Sequence, residues 1–401
     1  MPTVRIPPTL RAETGGEKEI TAAGTTVGDV LADVADRFPS LAERVLPNGE
    51  LASFVNVYVN GEDVRTLDNL ETPLTDDATV ILLPAMAGGE RATSAPSLLE
   101  LVGNTPLVEL PRLAPAGIRL YAKLEGQNPT GSIKDRIAKA MIEKAEAEGE
   151  LTPGRALLEP TSGNTGISLA FVSRLKGYDL TCVMPENATE ERRRLLRLFG
   201  AQIIESPADE GSNGAVRVAL EIAERDPRYF MPFQYANEAN PRAHYEGTGA
   251  EIAEALDCVD VLVAGLGTGG TLMGSGDRLR EWFPDVMVAA AEPLPGDPVM
   301  GLRSLEDGYV PPILDVTKLD RKILVSNGEA VAGVRALLER EGIFAGVSSG
   351  AVVHVARRLA EELDEGAVVV CVLADGGWKY LSADFWHADD AEAAMERGHW
   401  W

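Results

Sequence analysis

The chain is short of positive charge, of lysine, of histidine and of cysteine, and each shortage narrows what it can be. Its 37 basic residues face 62 acidic ones, for a formal charge of −25. That balance argues against partners such as nucleic acid or an anionic membrane surface. No apolar run reaches spanning length and no signal peptide opens the chain, so no membrane anchor is expected. Three cysteines (Cys182, Cys258, Cys371) form no CxxC pair. Cys258 and Cys371 lie beside or within apolar strand runs. Free core thiols in a reducing cytoplasm are expected. The four histidines (His244, His354, His387, His399) lack metal-ligand spacing, which argues against a zinc site. There is no internal repeat and no low-complexity tract.

At 401 residues the chain is long enough for two or three domains. Residues 1–89 hold no cysteine, histidine or tryptophan, and six basic residues against 14 acidic ones. A strand (Val4-Arg5-Ile6) precedes a helix whose apolar face is Val27, Val30, Leu31, Val34 and Phe38. Phe54 to Val59 then reads as a strand turned by Asn60-Gly61, a strong hairpin signal. A last strand, Thr79 to Leu83, runs into Pro84-Ala85-Met86-Ala87-Gly88-Gly89. This order is that of an α+β β-grasp, or ubiquitin-like, domain. Residues 90–96 are small and polar, as a linker is. Beyond them strands alternate with helices, as in Leu180 to Met184, Glu190 to Phe199 and Gln202 to Glu205. That is the α/β pattern, with parallel sheets and ligands at the carboxyl ends of strands.

Only nine lysines stand against 28 arginines, so a lysine in a motif invites a chemical reason. Lys134 lies in Asn128-Pro129-Thr130-Gly131-Ser132-Ile133-Lys134-Asp135-Arg136, after the apolar strand Ile118 to Leu124 and at the start of a helix. A buried lysine can form a Schiff base, whereas an arginine cannot. A surface lysine paired with Asp135 or Glu143 is the plainer alternative. Next, Glu159-Pro160-Thr161-Ser162-Gly163-Asn164-Thr165-Gly166 joins a short strand to a helix. Its glycines, hydroxyls, amide and free N–H groups form an anion-binding rim. Capping by Thr161 or Ser162 is the simpler use of the same residues. Third, Gly265-Leu266-Gly267-Thr268-Gly269-Gly270-Thr271 follows the strand run Val259 to Ala264 and opens a helix, as a phosphate cradle does. Gly265, Gly267 and Gly270 also satisfy G-x-G-x-x-G, and Glu292 stands about where a ribose-binding acid would. A nicotinamide dehydrogenase is therefore a competing reading, though it leaves Lys134 and the Asn164 loop without a role.

Together these motifs resemble the fold type II pyridoxal-phosphate enzymes, and among them the cysteine synthases, over roughly Pro96 to Trp401. The resemblance implies a two-lobed, tryptophan synthase β-like catalytic domain at residues 97–401. Its small lobe would span about 121–235, with the cofactor in the cleft, and the enzyme would be a homodimer. It implies that Lys134 holds the cofactor covalently and that Asn164 contacts its phenolic oxygen. Thr161, Ser162, Asn164 and Thr165 would grip the substrate carboxylate. Gly267, Thr268, Gly269, Gly270 and Thr271 would hold the cofactor phosphate. In Gly346-Val347-Ser348-Ser349-Gly350-Ala351, Ser348 matches the serine that faces the pyridine nitrogen. A hydroxyl does not keep that nitrogen protonated, which favours β-elimination. On the residues alone, Ser348 equally suits a helix N-cap. No metal is implied.

Arg303, in Val299-Met300-Gly301-Leu302-Arg303-Ser304, matches the arginine of cysteine synthases specific for O-phosphoserine. A guanidinium fork suits a phosphate dianion, and a surface pair with Asp307 is an equal alternative. The implied reaction is replacement of the substrate's β-phosphate by a sulfur nucleophile, giving cysteine. O-acetylserine sulfhydrylase and a related dehydratase are the rival enzymes, with the first domain as a mere interaction module. That domain, ending in Gly88-Gly89, resembles the ubiquitin-like sulfur carriers, whose terminal carboxylate becomes a thiocarboxylate. The resemblance implies an adenylating, sulfur-transferring partner. It also implies an S-to-N acyl shift that leaves cysteine on the carrier, and a protease to release it. Here Glu90 follows Gly89, so a free terminus requires cleavage at Gly89. The aromatic tail from Phe385 to Trp401 is expected either to dock on the core or to cover the cleft.

Overall fold

The computed structural model describes residues 1–45, 55–84, 95–161, 163–188 and 190–381. The chain divides into two compact units, Met1–Ala95 and Pro96–Trp401.

In the first unit the elements run β1 (Thr3–Arg5), β2 (Glu19–Thr21), α1 (Val27–Arg37), α2 (Pro39–Val45), β3 (Val55–Val59), β4 (Glu62–Asp63) and β5 (Thr79–Pro84). The sheet order is β2-β1-β5-β3-β4. β1 and β5 run parallel, while β2 and β3 join them antiparallel. Helix α1 begins at Val27 because Thr26 and Asp29 cap each other reciprocally, with bonds of 3.2 and 3.1 Å. Its buried residues Val27, Val30, Leu31 and Val34 pack on Val4, Val57, Val80 and Leu82 of the sheet. Asn60 and Gly61 both have positive φ, 52° and 92°, as a hairpin turn that matches strand twist requires. The sequence pattern did not disclose β2. Ile20 is its one apolar residue, too little for a period-2 signal. Gly88 and Gly89 lie outside the described residues.

In the second unit the elements begin β6 (Leu107–Glu109), β7 (Arg119–Leu124), α3 (Lys134–Ala147), β8 (Ala156–Pro160), α4 (Asn164–Lys176), β9 (Leu180–Pro185), α5 (Glu190–Leu198), β10 (Gln202–Ser206), α6 (Gly211–Arg225), β11 (Tyr229–Phe230) and α7 (Ala239–Ala243). A π-helical turn (His244–Gly249) leads into α8 (Ala250–Ala255). Then come β12 (Val261–Gly265), α9 (Gly270–Trp282), β13 (Met287–Pro293), β14 (Arg321–Val325), α10 (Asn327–Glu341), α11 (Val347–Ala360) and β15 (Val368–Leu373). They build two sheets, β10-β9-β8-β11 and β14-β13-β12-β15-β7-β6. All pairs are parallel except β6 with β7. Strands β9 and β15 are buried along their whole length, which explains their unbroken apolar runs: a parallel sheet is covered on both faces. β7 pairs with β15 in the larger sheet, and the four-stranded sheet takes its first strand at Ala156.

Two further details depart from the sequence pattern. Cys258 is exposed, while Cys182 and Cys371 are buried; Cys258 lies beside β12, as the sequence suggests, but is not the core thiol expected. Helix α4 starts at Asn164, three residues before its apolar run.

The loops that carry the motifs leave the carboxyl ends of β8, β12 and β15 or open α3 and α11. The first turn of α3 is anchored from below. Arg136 donates to Glu125 at 2.7 Å and to Glu251 at 2.6 Å, and Lys123 pairs with Glu251 at 2.6 Å. Burial pushes the Glu251 carboxyl up, but bonding and charge from Arg136, with Lys123, hold it down to about 2. A buried, fully bonded set of charges of this kind tolerates little rearrangement.

Candidate active site

Gly131, Ser132 and Ile133 form a short rung against Ala374, Asp375 and Gly376. Ile133 N–H donates to the Ala374 carbonyl at 2.8 Å, Gly376 N–H donates to Gly131 at 3.1 Å, and Ser132 faces Asp375 in an antiparallel bridge. The chain is thus held up to the residue before Lys134. Burial pulls the Lys134 amine down to about 8, and attraction to Asp375 opposes the fall. No hydrogen bond or ion pair engages Nζ among the described residues. A lowered value raises the share of free amine near neutral pH over that of an ordinary lysine. An unengaged amine at that value is a nucleophile and a base, so the surface-pair alternative with Asp135 or Glu143 fails. Asp135 instead accepts from Thr130 N–H at 2.7 Å and from the Thr130 hydroxyl.

The loop after β8 works through side chains. Thr161 Oγ1 accepts from Gly166 N–H at 3.2 Å and Gly163 N–H at 3.4 Å. Thr165 Oγ1 donates to Gln234 Oε1 at 2.7 Å. Asn164 Nδ2 donates to Asp375 Oδ2 at 2.7 Å, and Asn164 Oδ1 accepts from Lys379 Nζ at 2.6 Å. Gly163 occupies the N-cap position without a side-chain cap bond. Ser162 lies outside the described residues. Glu159, at the end of β8, is fully buried; its oxygens accept from Phe233 N–H at 2.8 Å and Gln234 N–H at 3.0 Å. Burial lifts its carboxyl to about 7, and those two bonds resist the rise. Phe233 has φ of 51°, a conformation that a bulky residue keeps only when its surroundings hold it there.

The loop after β12 works through missing side chains. A Cβ on Gly265 would come within 2.4 Å of Leu302, one on Gly269 within 2.8 Å of Leu314, and one on Gly270 within 1.9 Å of Asn240 Oδ1. Gly269 also has φ of 87°. Asn240 Nδ2 bonds the Gln234 carbonyl at 2.8 Å and Thr268 Oγ1 at 3.1 Å, tying this loop to the segment that serves Thr165. Thr271 Oγ1 lies 3.3 Å from His244 Nε2. Burial, with Lys134 and Arg136 nearby, keeps His244 neutral. Glu292 is buried and accepts from Leu305 N–H at 2.8 Å. It organises the 304–305 turn and is not presented as a ribose acceptor.

One pocket collects Lys134, Gly267, Thr268, Gly269, Thr271 and Ser348. Ser348 is in the first turn of α11, behind Gly346 as N-cap with no side-chain cap bond, so Ser348 is not itself the cap. Asn164, Thr161, Thr165 and Gly270 do not line this pocket, and neither does Asp375, the bonding partner of Asn164. Arg303 stands one step outward. Its N–H donates to the Leu266 carbonyl at 2.7 Å, and its guanidinium lies 5.3 Å from the ring centres of both Tyr235 and Tyr309. It opens on a cavity of about 420 Å³ lined also by Tyr309 and, from α6, by Val216, Leu220, Arg217, Glu221 and Glu224. No carboxylate pairs with it among the described residues; the Asp307 side chain lies outside them.

These features fit a phosphate-bearing aldehyde cofactor of the implied kind. The amine suits the aldehyde. The glycine cradle at the start of the 13-residue α9 suits a phosphate dianion, and no carboxylate lines the pocket. Asp375, Lys379, Gln234 and Asn240 stand outside the sequence motifs, yet they bond the loop residues of the site. For Asp375 a signal exists: Ala374-Asp375-Gly376-Gly377 follows the apolar run Val368–Leu373, the same strand-then-glycine pattern that marks the Gly267 loop. Gln234 and Asn240 sit in irregular chain with no such mark.

Comparison with known proteins agrees with this geometry. Residues 98–375 match the pyridoxal-phosphate dependent enzyme family, and residues 4–89 match the ThiS family. The chain is 43% identical over 300 residues to a probable cysteine synthase of Bacillus subtilis (strain 168), covering 72% of this chain and 96% of that protein. It is 42% identical over 304 residues to a cysteine synthase of Staphylococcus aureus (strain Mu50), covering 73% and 98%. A solved cysteine synthase of Entamoeba histolytica superposes with a TM-score of 0.71 at 32% identity, over 78% of this chain and 98% of that one.

Proposed function

From a chain that belongs to the pyridoxal-phosphate dependent enzyme family and is related to the cysteine synthases, we propose an enzyme that makes cysteine from O-phosphoserine. The observation that carries the substrate choice is the Arg303 guanidinium. It is braced by two tyrosines and has no ion pair among the described residues, and the Arg303 backbone is bonded to Leu266 beside the cofactor pocket. A fork of N–H donors braced in this way suits the dianionic phosphate of the substrate. Pyridoxal phosphate supplies the electron sink that lets the substrate's Cα–H bond break. The residues of this chain do the rest. The cradle from Gly267 to Thr271 holds the cofactor phosphate, and Ser348 faces the ring nitrogen. Thr161, Ser162, Asn164 and Thr165 bind the substrate carboxylate. Lys134 Nζ removes the α-proton, Arg303 holds the phosphate as it leaves the β-carbon, and a sulfur nucleophile adds there.

The sulfur donor we favour is the first unit. Its β-grasp sheet and its family match, which ends at Gly89, support a carrier role for Gly88-Gly89 once the chain is cut there by a protease and activated by an adenylating partner. Sulfide is the simpler donor. The enzyme acts as a homodimer in this reading.

Two experiments test the proposal. Arg303→Ala should lose most kcat/KM with O-phosphoserine, on the order of 2–3 kcal/mol, and far less with O-acetylserine. Equal losses would assign Arg303 to structure. Intact-mass analysis of the protein from its native cell should find a fragment ending at Gly89, partly with sulfur in place of one terminal oxygen. Full-length chain alone under sulfur limitation would leave sulfide as the donor.

A further inference from the structure

We propose that Asp375 and Lys379 are positioning residues: they grip the two ends of the Asn164 amide, and the second Asp375 oxygen is the counter-charge of Lys134 whenever its amine holds a proton. The inference rests on the reading of Lys134 and Asn164 as cofactor-binding residues.

Nδ2 of Asn164 faces Asp375 Oδ2 at 2.7 Å, and Oδ1 faces Lys379 Nζ at 2.6 Å. A carboxylate only accepts and an ammonium only donates. The orientation of the amide is therefore dictated by its partners. Tyr380 O–H donates to the same Asp375 oxygen at 2.6 Å, which fixes the carboxylate in turn. The other oxygen, Oδ1, is buried and has no partner among the described residues. A Cβ on Gly346 would come within 2.1 Å of it, so the backbone is cut back to make room for this carboxylate. An idle lone pair on a buried carboxylate is costly and calls for a donor that comes and goes. Lys134 is that donor. Its chain is pinned to the Asp375 segment by the Ser132 bridge, and its amine is already attracted to Asp375. When it has taken the substrate's α-proton it becomes an ammonium, and the Asp375 carboxylate lies in position to balance that charge.

The test uses the cofactor-loaded full-length chain and its cofactor-free form. Asp375→Asn keeps the shape but removes the charge and the constraint on the amide. It should weaken cofactor retention about tenfold or more. In the cofactor-free protein it should also move the pH midpoint for cofactor capture below the value near 8 set by Lys134, because the opposing charge is gone. Lys379→Met should weaken retention severalfold, and Lys379→Arg should restore it. The double variant should lose less than the product of the single losses, since both act on one amide. A folded Asp375→Asn protein with unchanged retention and an unchanged midpoint overturns the inference. If that variant does not fold, equal retention in Lys379→Met and the parent overturns it. Asn164→Ala separates the two levels: no effect there removes the underlying reading and the inference with it, whereas a clear effect there beside a silent Asp375→Asn removes the inference alone.

Discussion

The loops after β8 and β12 serve one site by opposite means. The first is built from side chains, two of them engaged by partners far away in sequence: Thr165 by Gln234, Asn164 by Asp375 and Lys379. The second is built from absent side chains, with Gly265, Gly269 and Gly270 each standing where a Cβ would strike a neighbour. A side-chain loop distributes its work over several bonds of about 1 kcal/mol each, so single losses should be graded. A backbone loop is all or nothing, because an added methyl displaces whatever it meets.

The largest effect is expected where both loops converge. Lys134→Ala should abolish cysteine formation and the visible absorption band of the bound cofactor, since one amine serves attachment and proton transfer. Normal turnover by this variant would end the assignment. Gly270→Ala comes next. Its Cβ would sit 1.9 Å from Asn240 Oδ1, and overpacking of this kind costs about 1–3 kcal/mol. Cofactor retention measured by dialysis should fall at least tenfold. An unchanged value would show that Asn240 yields freely and would break the contrast between the loops. Thr165→Val should be milder. Losing its bond to Gln234 should raise KM about fivefold with the cofactor band intact. A loss as deep as that of Gly270→Ala would mean that the side-chain loop is also all or nothing.

The smallest expected effect is a pH slope. Burial raises Glu159 to about 7 from an ordinary 4.5. A carboxyl raised in the folded state contributes stability that is full below its unfolded value and is lost as pH rises through the folded one. Glu159 should therefore make the protein less stable between about pH 4.5 and 7, and Glu159→Gln should flatten that part of a Tm-against-pH curve. A parallel curve for the variant would place the slope elsewhere.

Much of this was legible before the structure. Lys134, the glycines from Gly267 to Gly270, and Ser348 are local signals: a strand, a break in side chains, a helix start. The Val27 to Val34 stripe and the Asn60-Gly61 turn predict α1 and the β3–β4 hairpin in the same way, because period and φ are properties of neighbouring residues. Less was legible where one residue carries the signal, as in β2 with its lone Ile20, or where burial beside a strand decides, as for exposed Cys258. Asp375 and Gln234 were harder still, since their importance lies in bonds to residues 211 and 69 positions away.

The sequence by itself determined the element order, the two kinds of domain and the chemistry on offer: an amine, hydroxyls and glycine turns at the ends of strands. Those follow from short-range periodicity and backbone freedom. Only the tertiary structure decided that the Lys134 amine is lowered to about 8, that Asn164 is locked between an acid and an amine, and that Arg303 is braced by two tyrosines. Burial and partnership depend on which distant segments the sheets bring together, and a charge or an amide acquires its function from the neighbours that packing assigns to it.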